Sequence, residues 1–347
     1  MTEPKLRIGI AGYGVVGTRR REFIDQHPGM ETVAVCDRKF TTPGAFEDGV
    51  RYFTNYRELL ACELDALFVC LSNDVAAEVT IAGLEAGLHV FCEKPPGRDL
   101  KDISDVIACE QRHPDRVLMY GFNHRYHDSV RDALQIVRSG ELGKIINLRG
   151  VYGKSKIINF ASTWRTQRKF AGGGILLDQG IHMVDLIRLF AGEFEEVHSF
   201  ISNAHWHHDV EDNAYAIMRS RTGVVAMLHS SATQWRHRFQ LEISCEGGTI
   251  ILSGFLTGSK SYGTETLTLA WKTENDEGDP KEQTTSYNHD PSWADEIGVF
   301  CQAIQTNHPP EHGTSAEALK TMHLVYRIYC ADQDWADRYD LTDQIPS

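Results

Sequence analysis

The eight cysteines of this chain include no Cys-x-x-Cys pair, which removes the usual spacing of structural zinc sites and dithiol redox motifs. Several lie in strand-like runs such as Leu67-Phe68-Val69-Cys70, so reduced, buried thiols are expected rather than a disulfide framework. No apolar stretch reaches the roughly eighteen residues of a membrane span, and Met1 to Lys5 is too short and polar for a secretory leader. A soluble, cytoplasmic protein is the expectation. Positive charge is also scarce. A formal net charge of −13 argues against nucleic acid and anionic membrane as partners. One segment runs against that balance. From Leu142 to Leu177 there is no Asp or Glu, while Lys144, Arg149, Lys154, Lys156, Arg165, Arg168 and Lys169 all fall there. An anionic ligand or the acidic face of a partner subunit would each account for that stretch. No internal repeat or low-complexity tract is present, and 347 residues exceed what one core usually serves, so two domains are expected.

What is there begins at once. The apolar run Leu6 to Ala11 opens into Gly12-Tyr13-Gly14-Val15-Val16-Gly17, a helical pattern follows from Thr18 to Gln26, and a second apolar run, Thr32 to Cys36, ends on Asp37. Strand, glycine turn, helix and a placed acid together make the dinucleotide fingerprint. Gly12 serves the tight turn, Gly14 the approach of a pyrophosphate, and Gly17 the close packing of the helix. Asp37 is placed to accept the ribose hydroxyls of NAD and to repel a 2′-phosphate; Arg38 and Lys39, next in line, soften that choice and leave NADP open.

Further apolar runs at Leu67 to Leu71, His89 to Cys92 and Val117 to Gly121 alternate with helical patterns, the signature of a doubly wound parallel sheet. One of those helices, Val75 to Ala86, stops at Gly87, which takes a left-handed closing conformation easily. From Lys144 the pattern changes to longer alternating strands: Ile145–Val151, Glu195–Ile201, Ala214–Met218, Val224–His229, Gln240–Cys245, Thr249–Ile251 and Thr266–Trp271. A largely antiparallel sheet is expected there, interrupted by helices over Gly174–Phe190 and Ser315–Trp335. Gly258 to Gly263 and Glu274 to Pro291 read as polar, turn-rich loops. The expected class is α/β, with an N-terminal Rossmann domain over 1–124 and a second α/β domain over 125–347.

Two motifs carry chemistry. The fourth strand ends in Glu93-Lys94-Pro95-Pro96, where a doubly wound sheet receives its ligand. Glu93 is placed for a ribose hydroxyl, Lys94 points toward the reacting carbon, and the Lys94-Pro95 bond is a candidate cis peptide. Further on, three glycines, Gly172 to Gly174, precede Asp178 and His182, which at four residues apart share one helix face. Asp185, on a neighbouring face, reads as a structural pair or cap. An alcohol oxidation needs its hydride aimed at nicotinamide while the hydroxyl proton leaves to a base. Lys94 can stabilise the alkoxide, His182 can accept the proton, and Asp178 can orient the imidazole or hold a second hydroxyl. Lys94 and His182 are interchangeable in these roles, because a partly desolvated lysine also serves as a base. No metal is needed. The dense run His205-Trp206-His207-His208-Asp209 with Glu211 and Asp212 reads as an exposed loop, since zinc sites use more separated ligands held by secondary structure. His229 ends a strand and reads as structural, with lining of the pocket from the strand end as the alternative.

These residues resemble the Gfo/Idh/MocA oxidoreductases, which act on sugars, cyclitols and related compounds. The likeness runs from Gly12–Gly17 through Ala86-Gly87-Leu88-His89-Val90-Phe91-Cys92-Glu93-Lys94-Pro95 and Gly121-Phe122-Asn123-His124-Arg125-Tyr126 to Gly172–Asp185 and Glu211-Asp212-Asn213-Ala214. It implies a Rossmann domain followed by an α/β domain whose large, mostly antiparallel open sheet supports a homodimer or homotetramer. By the same likeness Lys94, Asp178 and His182 are the catalytic group. After the third strand, family members often carry Thr-Pro-Asn and then His; here Leu71-Ser72-Asn73-Asp74 stands instead, which keeps Asn73 and loses the His. Leu71, Ser72, Asn73 and Asn123 join Gly12 to Gly17, Asp37, Arg38, Glu93 and Lys94 as the expected cofactor contacts.

Arg125, Tyr126, Tyr152, Trp164 and Arg165, with Lys94, Asp178 and His182, are the expected substrate contacts, and Lys154 and Arg168 add charge nearby. Flat rings and cations suit sugar faces and anionic groups. A sugar, a nucleotide-linked sugar and a cyclitol all remain candidates, and the acid-free stretch 142–177 tips the expectation toward an anionic sugar, such as a nucleotide-linked one, over a neutral cyclitol, although the same charges would also serve a subunit interface. The competing class of function is a dinucleotide-binding sensor without turnover, for which a missing catalytic residue would be the sign; Lys94, Asp178 and His182 are all present.

Overall fold

The computed structural model describes residues 4–155, 164–257, 262–274 and 280–346. The chain divides into two units. One comprises Met1–Asn123, Trp293–Lys320 and Ile345–Ser347, the other His124–Ser292 and Thr321–Gln344. The sequence pattern places everything after 125 in the second domain, whereas residues 293–320 belong with the first. The physical reason is aromatic burial: Phe300 of helix Ser292–Thr306 meets Phe68 and Phe91 edge to face, at 5.5 and 5.6 Å between ring centroids.

In the first unit seven strands form one sheet: β1 (Leu6–Ala11), β2 (Met30–Cys36), β3 (Gly44–Ala45), β4 (Arg51–Phe53), β5 (Ala66–Val69), β6 (His89–Glu93) and β7 (Leu118–Gly121). Their order is β3-β4-β2-β1-β5-β6-β7. Every pair is parallel except β3 with β4. β5 is buried along its whole length and β1 over its last four residues, which is why these strands read as unbroken apolar runs rather than alternating ones. The strand order reverses about β1 and β5. A crevice therefore opens at their carboxyl ends, where the Gly12 turn and Leu71-Ser72 lie.

The second unit holds β8 (Ile145–Gly153), β9 (Phe194–Ser202), β10 (Asn213–Ser220), β11 (Val225–Ser231), β12 (Arg238–Cys245), β13 (Gly248–Ser253), β14 (Glu265–Trp271) and β15 (Lys281–Tyr287). They form one mostly antiparallel sheet in the order β15-β14-β13-β12-β8-β11-β10-β9, with β8 and β11 as its parallel pair. One face packs on helix Ile181–Ala191: a Cβ added to Gly150 would fall 2.7 Å from the Met183 sulfur. The other face is open and apolar. Ile146, Phe200, Tyr215, Ile217 and Met227 are exposed there, with Tyr215 paired to Phe200 and Ile217 to Met227 across neighbouring strands.

Two expectations need correction. The segment Glu274–Pro291, read as a loop, contains β15, an edge strand whose residues are exposed except for the half-buried Tyr287; with no buried face it has no apolar alternation to read. The single helix expected over Ser315–Trp335 is two, Ser315–Cys330 and Gln333–Tyr339, because the Asp332 carboxylate caps a new start by accepting from Trp335 N. The pattern also passes over helices Asp128–Ser139 and Ser292–Thr306. Of the loop expected over Gly258–Gly263, residues 258–261 lie outside the described residues, as does Lys156.

Candidate active site

In the first unit the glycines divide the work as their positions require. Gly12 has φ +93°, and a Cβ there would fall 2.3 Å from the Cys70 carbonyl oxygen; one on Gly17 would fall 1.9 Å from Gly12 O. Around Gly14, by contrast, a Cβ meets nothing within 4 Å. Gly14 is also the N-cap of helix Val15–Gln26 and supplies no side chain to its first N–H groups, while Val15 is 79% exposed. An open backbone cradle at an uncapped helix start fits a pyrophosphate. Asp37 closes the turn from the end of β2, its carboxylate accepting from Tyr13 N at 2.8 Å and Lys39 N at 2.9 Å. The acid is thereby oriented by backbone alone, with lone pairs left for ribose hydroxyls.

Beside it lies a basin of about 830 Å³ lined by Tyr13, Phe40, Phe46 and Tyr52, with the Arg21 guanidinium 5.3 Å from the Phe46 ring and the Lys39 ammonium 4.9 Å from the Tyr13 ring. Sequence reasoning singled out Tyr13 but missed its three aromatic companions. Their signal is the unusual density of rings between Phe40 and Phe53. On the next strand Ser72 is the N-cap of helix Asn73–Glu85, and both Ser72 and Asn73 are buried.

Glu93 ends β6 and is half-buried, as is Lys94, and the Lys94-Pro95 peptide is cis. Glu93 is no isolated acceptor. Arg20 Nε donates to its Oε1 at 2.6 Å, and the same fully buried guanidinium reaches Glu296 at 2.6 Å. Burial disfavours the charge on Arg20, but Glu93 and Glu296 outweigh it and raise its pKa.

In the second unit the three glycines lead into a wide π turn, Leu176–Gly180, ahead of helix Ile181–Ala191. Glu211 shapes that entry by accepting from Gly174 N, Leu176 N and the Tyr329 hydroxyl at 2.7, 2.9 and 2.6 Å. Burial pushes its carboxyl up. Asp178, inside the turn, accepts from Arg165 Nε at 3.0 Å and Lys154 Nζ at 3.4 Å. His182 is 5% exposed and stacks on His124, whose Nε2 lies 3.0 Å from the Tyr152 hydroxyl. Tyr152 meets Tyr262 edge to face at 5.4 Å, and Gln179 Nε2 donates to the Tyr262 hydroxyl. Burial drives the Tyr152 hydroxyl well above the usual range and Tyr262 to about 12, so both are neutral donors at physiological pH. Asp178 and His182 thus come with four residues that sequence reasoning did not assign: His124, Gln179, Tyr262 and Glu211 in this positioning role.

Arg125 is a correction. Expected on the substrate, it instead forks onto Asp185 through Nε at 2.7 Å and Nη2 at 2.6 Å, both side chains being buried. The pair anchors helix Ile181–Ala191 from within, as the structural role of Asp185 anticipates. Tyr126 is buried, with the Arg131 guanidinium 5.4 Å from its ring. Trp164 carries the Arg165 guanidinium 4.4 Å from its ring. The acid-free stretch finds its acids elsewhere in the fold. Arg149 pairs with Glu242 at 3.6 Å, and Arg168 bonds Gly172 O at 2.9 Å while lying 3.9 Å from the Tyr339 ring. In the loop 205–212 the Asp212 carboxylate accepts from His205 N and Trp206 N at 2.8 and 3.0 Å. Among the described residues no three His, Cys, Asp or Glu side chains are grouped to hold a metal ion.

The family model for an oxidoreductase family with an NAD-binding Rossmann fold matches residues 6–122, and that for the GFO/IDH/MocA C-terminal domain matches residues 130–251. The chain belongs to the Gfo/Idh/MocA oxidoreductases. It is 29% identical over 271 residues to the 1,5-anhydro-D-fructose reductase of Ensifer adhaerens, covering 74% of this chain and 79% of that one. To the D-glucoside 3-dehydrogenase of Escherichia coli it is 32% identical over 217 residues, 59% of this chain and 58% of the relative. Levoglucosan dehydrogenase in complex with NADH and levoglucosan shares the fold at a TM-score of 0.82 and 20% identity, covering 95% of this chain and 98% of that one. This family member is an oxidoreductase with an NAD-binding Rossmann domain.

Proposed function

We propose that the protein interconverts a hydroxyl and a keto carbon of a sugar, a nucleotide-linked sugar or a cyclitol, with NAD as the preferred cofactor. The observation that supports this most is the polar group around Asp178. A carboxylate bracketed by Lys154 and Arg165 acts electrostatically on the Tyr152 and Tyr262 hydroxyls, which provides alternating acceptors and donors for a polyol. The relatives named for a sugar reductase and a glucoside dehydrogenase favour the same substrate class. Of the cations in residues 142–177, Arg149 faces Glu242 and Lys154 and Arg165 face Asp178, which weighs toward a neutral polyol over an anionic one.

Bound nicotinamide would accept or supply the hydride. The residues do the rest. His182, held in plane by His124, takes the hydroxyl proton; Lys94 stabilises the developing alkoxide; Asp178 receives a neighbouring hydroxyl and keeps Lys154 and Arg165 in register. Glu93 accepts from a ribose hydroxyl at the nicotinamide end. The open face of the second sheet, apolar at Phe200, Tyr215, Ile217 and Met227, is the subunit contact of a homo-oligomer.

The test is cofactor reduction by the purified protein over a panel of neutral sugars, cyclitols, sugar acids and nucleotide sugars. Turnover with at least one neutral polyol is expected. NADH binding without turnover on any member would replace this reading by a sensor.

A further inference from the structure

Glu93 is the neighbour of Lys94, and its side chain keeps 14% exposure at the carboxyl end of β6. A carboxylate on the rim of a strand has freedom to swing unless something behind it prevents that. Arg20 is behind it. Its guanidinium lies 4.5 Å from the Phe91 ring and 4.3 Å from the Trp293 ring, and donates to Glu93 and Glu296 at 2.6 Å each. Gly121 leaves it room, since a Cβ there would fall 3.1 Å from Nη2. Two rings fix the plane of the fork and two carboxylates fix its direction. Glu296 comes from helix Ser292–Thr306, 276 residues from Arg20 in the chain, and is fully buried.

Stability alone does not account for this arrangement. One guanidinium neutralises one carboxylate, so a second buried acid adds a desolvation cost that an apolar side chain of similar size would avoid. Phe300 already attaches the same helix to Phe68 and Phe91. What Glu296 adds is orientation: Nη2 lies 2.6 Å from both Glu296 Oε2 and Glu93 Oε1, so the bond to Glu296 holds the Nε–Nη2 edge of Arg20 against Glu93.

We propose that Arg20 and Glu296 are positioning residues that hold Glu93 as the acceptor for the nicotinamide half of the dinucleotide, so the returning C-terminal helix helps to set cofactor affinity. The proposal rests on the reading above that Glu93 meets the nicotinamide-side ribose. It separates the two halves of the ligand: the adenosine and phosphates depend on Gly12 to Gly17 and Asp37, the far half on the Glu296–Arg20–Glu93 chain.

Calorimetric titration of NADH and of ADP into the full-length protein tests this, with Glu93→Ala, Glu296→Gln and the double variant Arg20→Met/Glu296→Met. The double variant replaces the buried pair by apolar side chains of similar length, so a fold is retained for measurement if Glu296→Gln is unstable, and thermal unfolding monitors each. All three are expected to weaken NADH by about fivefold to tenfold, the net scale of a single hydrogen bond, with ADP unchanged within about twofold. Equal losses for NADH and ADP would show a general structural role and overturn the proposal. Wild-type NADH affinity in Glu296→Gln and the double variant, with a loss in Glu93→Ala, would overturn it while sparing the reading of Glu93. No loss in Glu93→Ala would remove that reading and the proposal together.

Discussion

His182 lies face to face on His124, with ring centroids 3.7 Å apart and planes 7° from parallel. Tyr152 fixes the rotation of the supporting ring through His124 Nε2 at 3.0 Å, so the stack passes that orientation on to His182. An aromatic pair of this kind is worth about 1 kcal/mol beyond area, roughly a factor of five in a rate that depends on ring placement. His124→Ala is therefore expected to lower turnover about fivefold to tenfold with NADH affinity unchanged, and His124→Phe to restore most of it. Steady-state kinetics with direct cofactor titration checks this; equal loss in both variants would argue against stacking as the cause.

Lys94→Ala and His182→Ala should each reduce turnover by roughly a hundredfold or more, the usual scale for a positioned proton-transfer group, while NADH affinity stays within about threefold. Asp178→Asn should raise the Michaelis constant as well, since it releases Lys154 and Arg165 together. The pH profile assigns the base: an acidic limb that vanishes in His182→Ala marks histidine, and one that persists marks Lys94. Near-normal turnover in Lys94→Ala would refute the mechanism.

Cofactor preference should follow Asp37. Its carboxylate is anchored by Tyr13 N and Lys39 N and so cannot turn away from a 2′-phosphate without breaking both bonds. Wild-type protein is expected to bind NADH more tightly than NADPH, and Asp37→Ser to narrow or invert the ratio. Dissociation constants for the two reduced cofactors decide it; tighter NADPH binding by the wild type would sink the assignment.

Acid should weaken the second unit through Glu265. Burial alone would raise its carboxyl, but hydrogen bonds from His127, Ser129 and Leu256 N hold it below the ordinary glutamate range. A folded-state pKa below the unfolded one contributes stability that is present at neutral pH and lost as pH falls through the lower value. Glu265→Gln should cost about 1–3 kcal/mol at pH 7, with the deficit shrinking below about pH 4 as the wild type also protonates. Thermal unfolding across that range measures it; a deficit independent of pH would contradict the ionised role.

The open sheet face supplies the remaining test. Phe200→Asp with Ile217→Lys places charges on two exposed apolar positions of β9 and β10 and should shift the protein toward monomer in sedimentation without altering NADH affinity. An unchanged sedimentation coefficient would refute this face as a subunit contact.

Much of the first unit was legible because its signals are local. Gly12 to Gly17 and Asp37 sit within one strand–helix–strand passage, and the steric demands on Gly12 and Gly17 come from that passage and the adjoining β5 end. β15 was illegible for the opposite reason: an exposed edge strand has no buried face to impress a period on the sequence. Pairings across long stretches of chain were hidden too. Arg125 looked like a substrate cation because its partner, Asp185, is 60 residues away, and Glu93 looked available because Arg20 and Glu296 approach it from other elements. The acid-free stretch was correctly located in the sequence, yet its charge balance is made by Asp178 and Glu242, both outside it.

The return of residues 293–320 to the first unit sets an order on synthesis. A nascent chain generally folds its leading domain as soon as that domain clears the ribosome. Here the Phe68 and Phe91 rings wait for Phe300, and Tyr120 N waits for Gly313 O, 2.7 Å away in the finished protein. Every strand of the second sheet is translated in that interval. The first domain to emerge thus stays open at its aromatic core until the whole of the second sheet has been made.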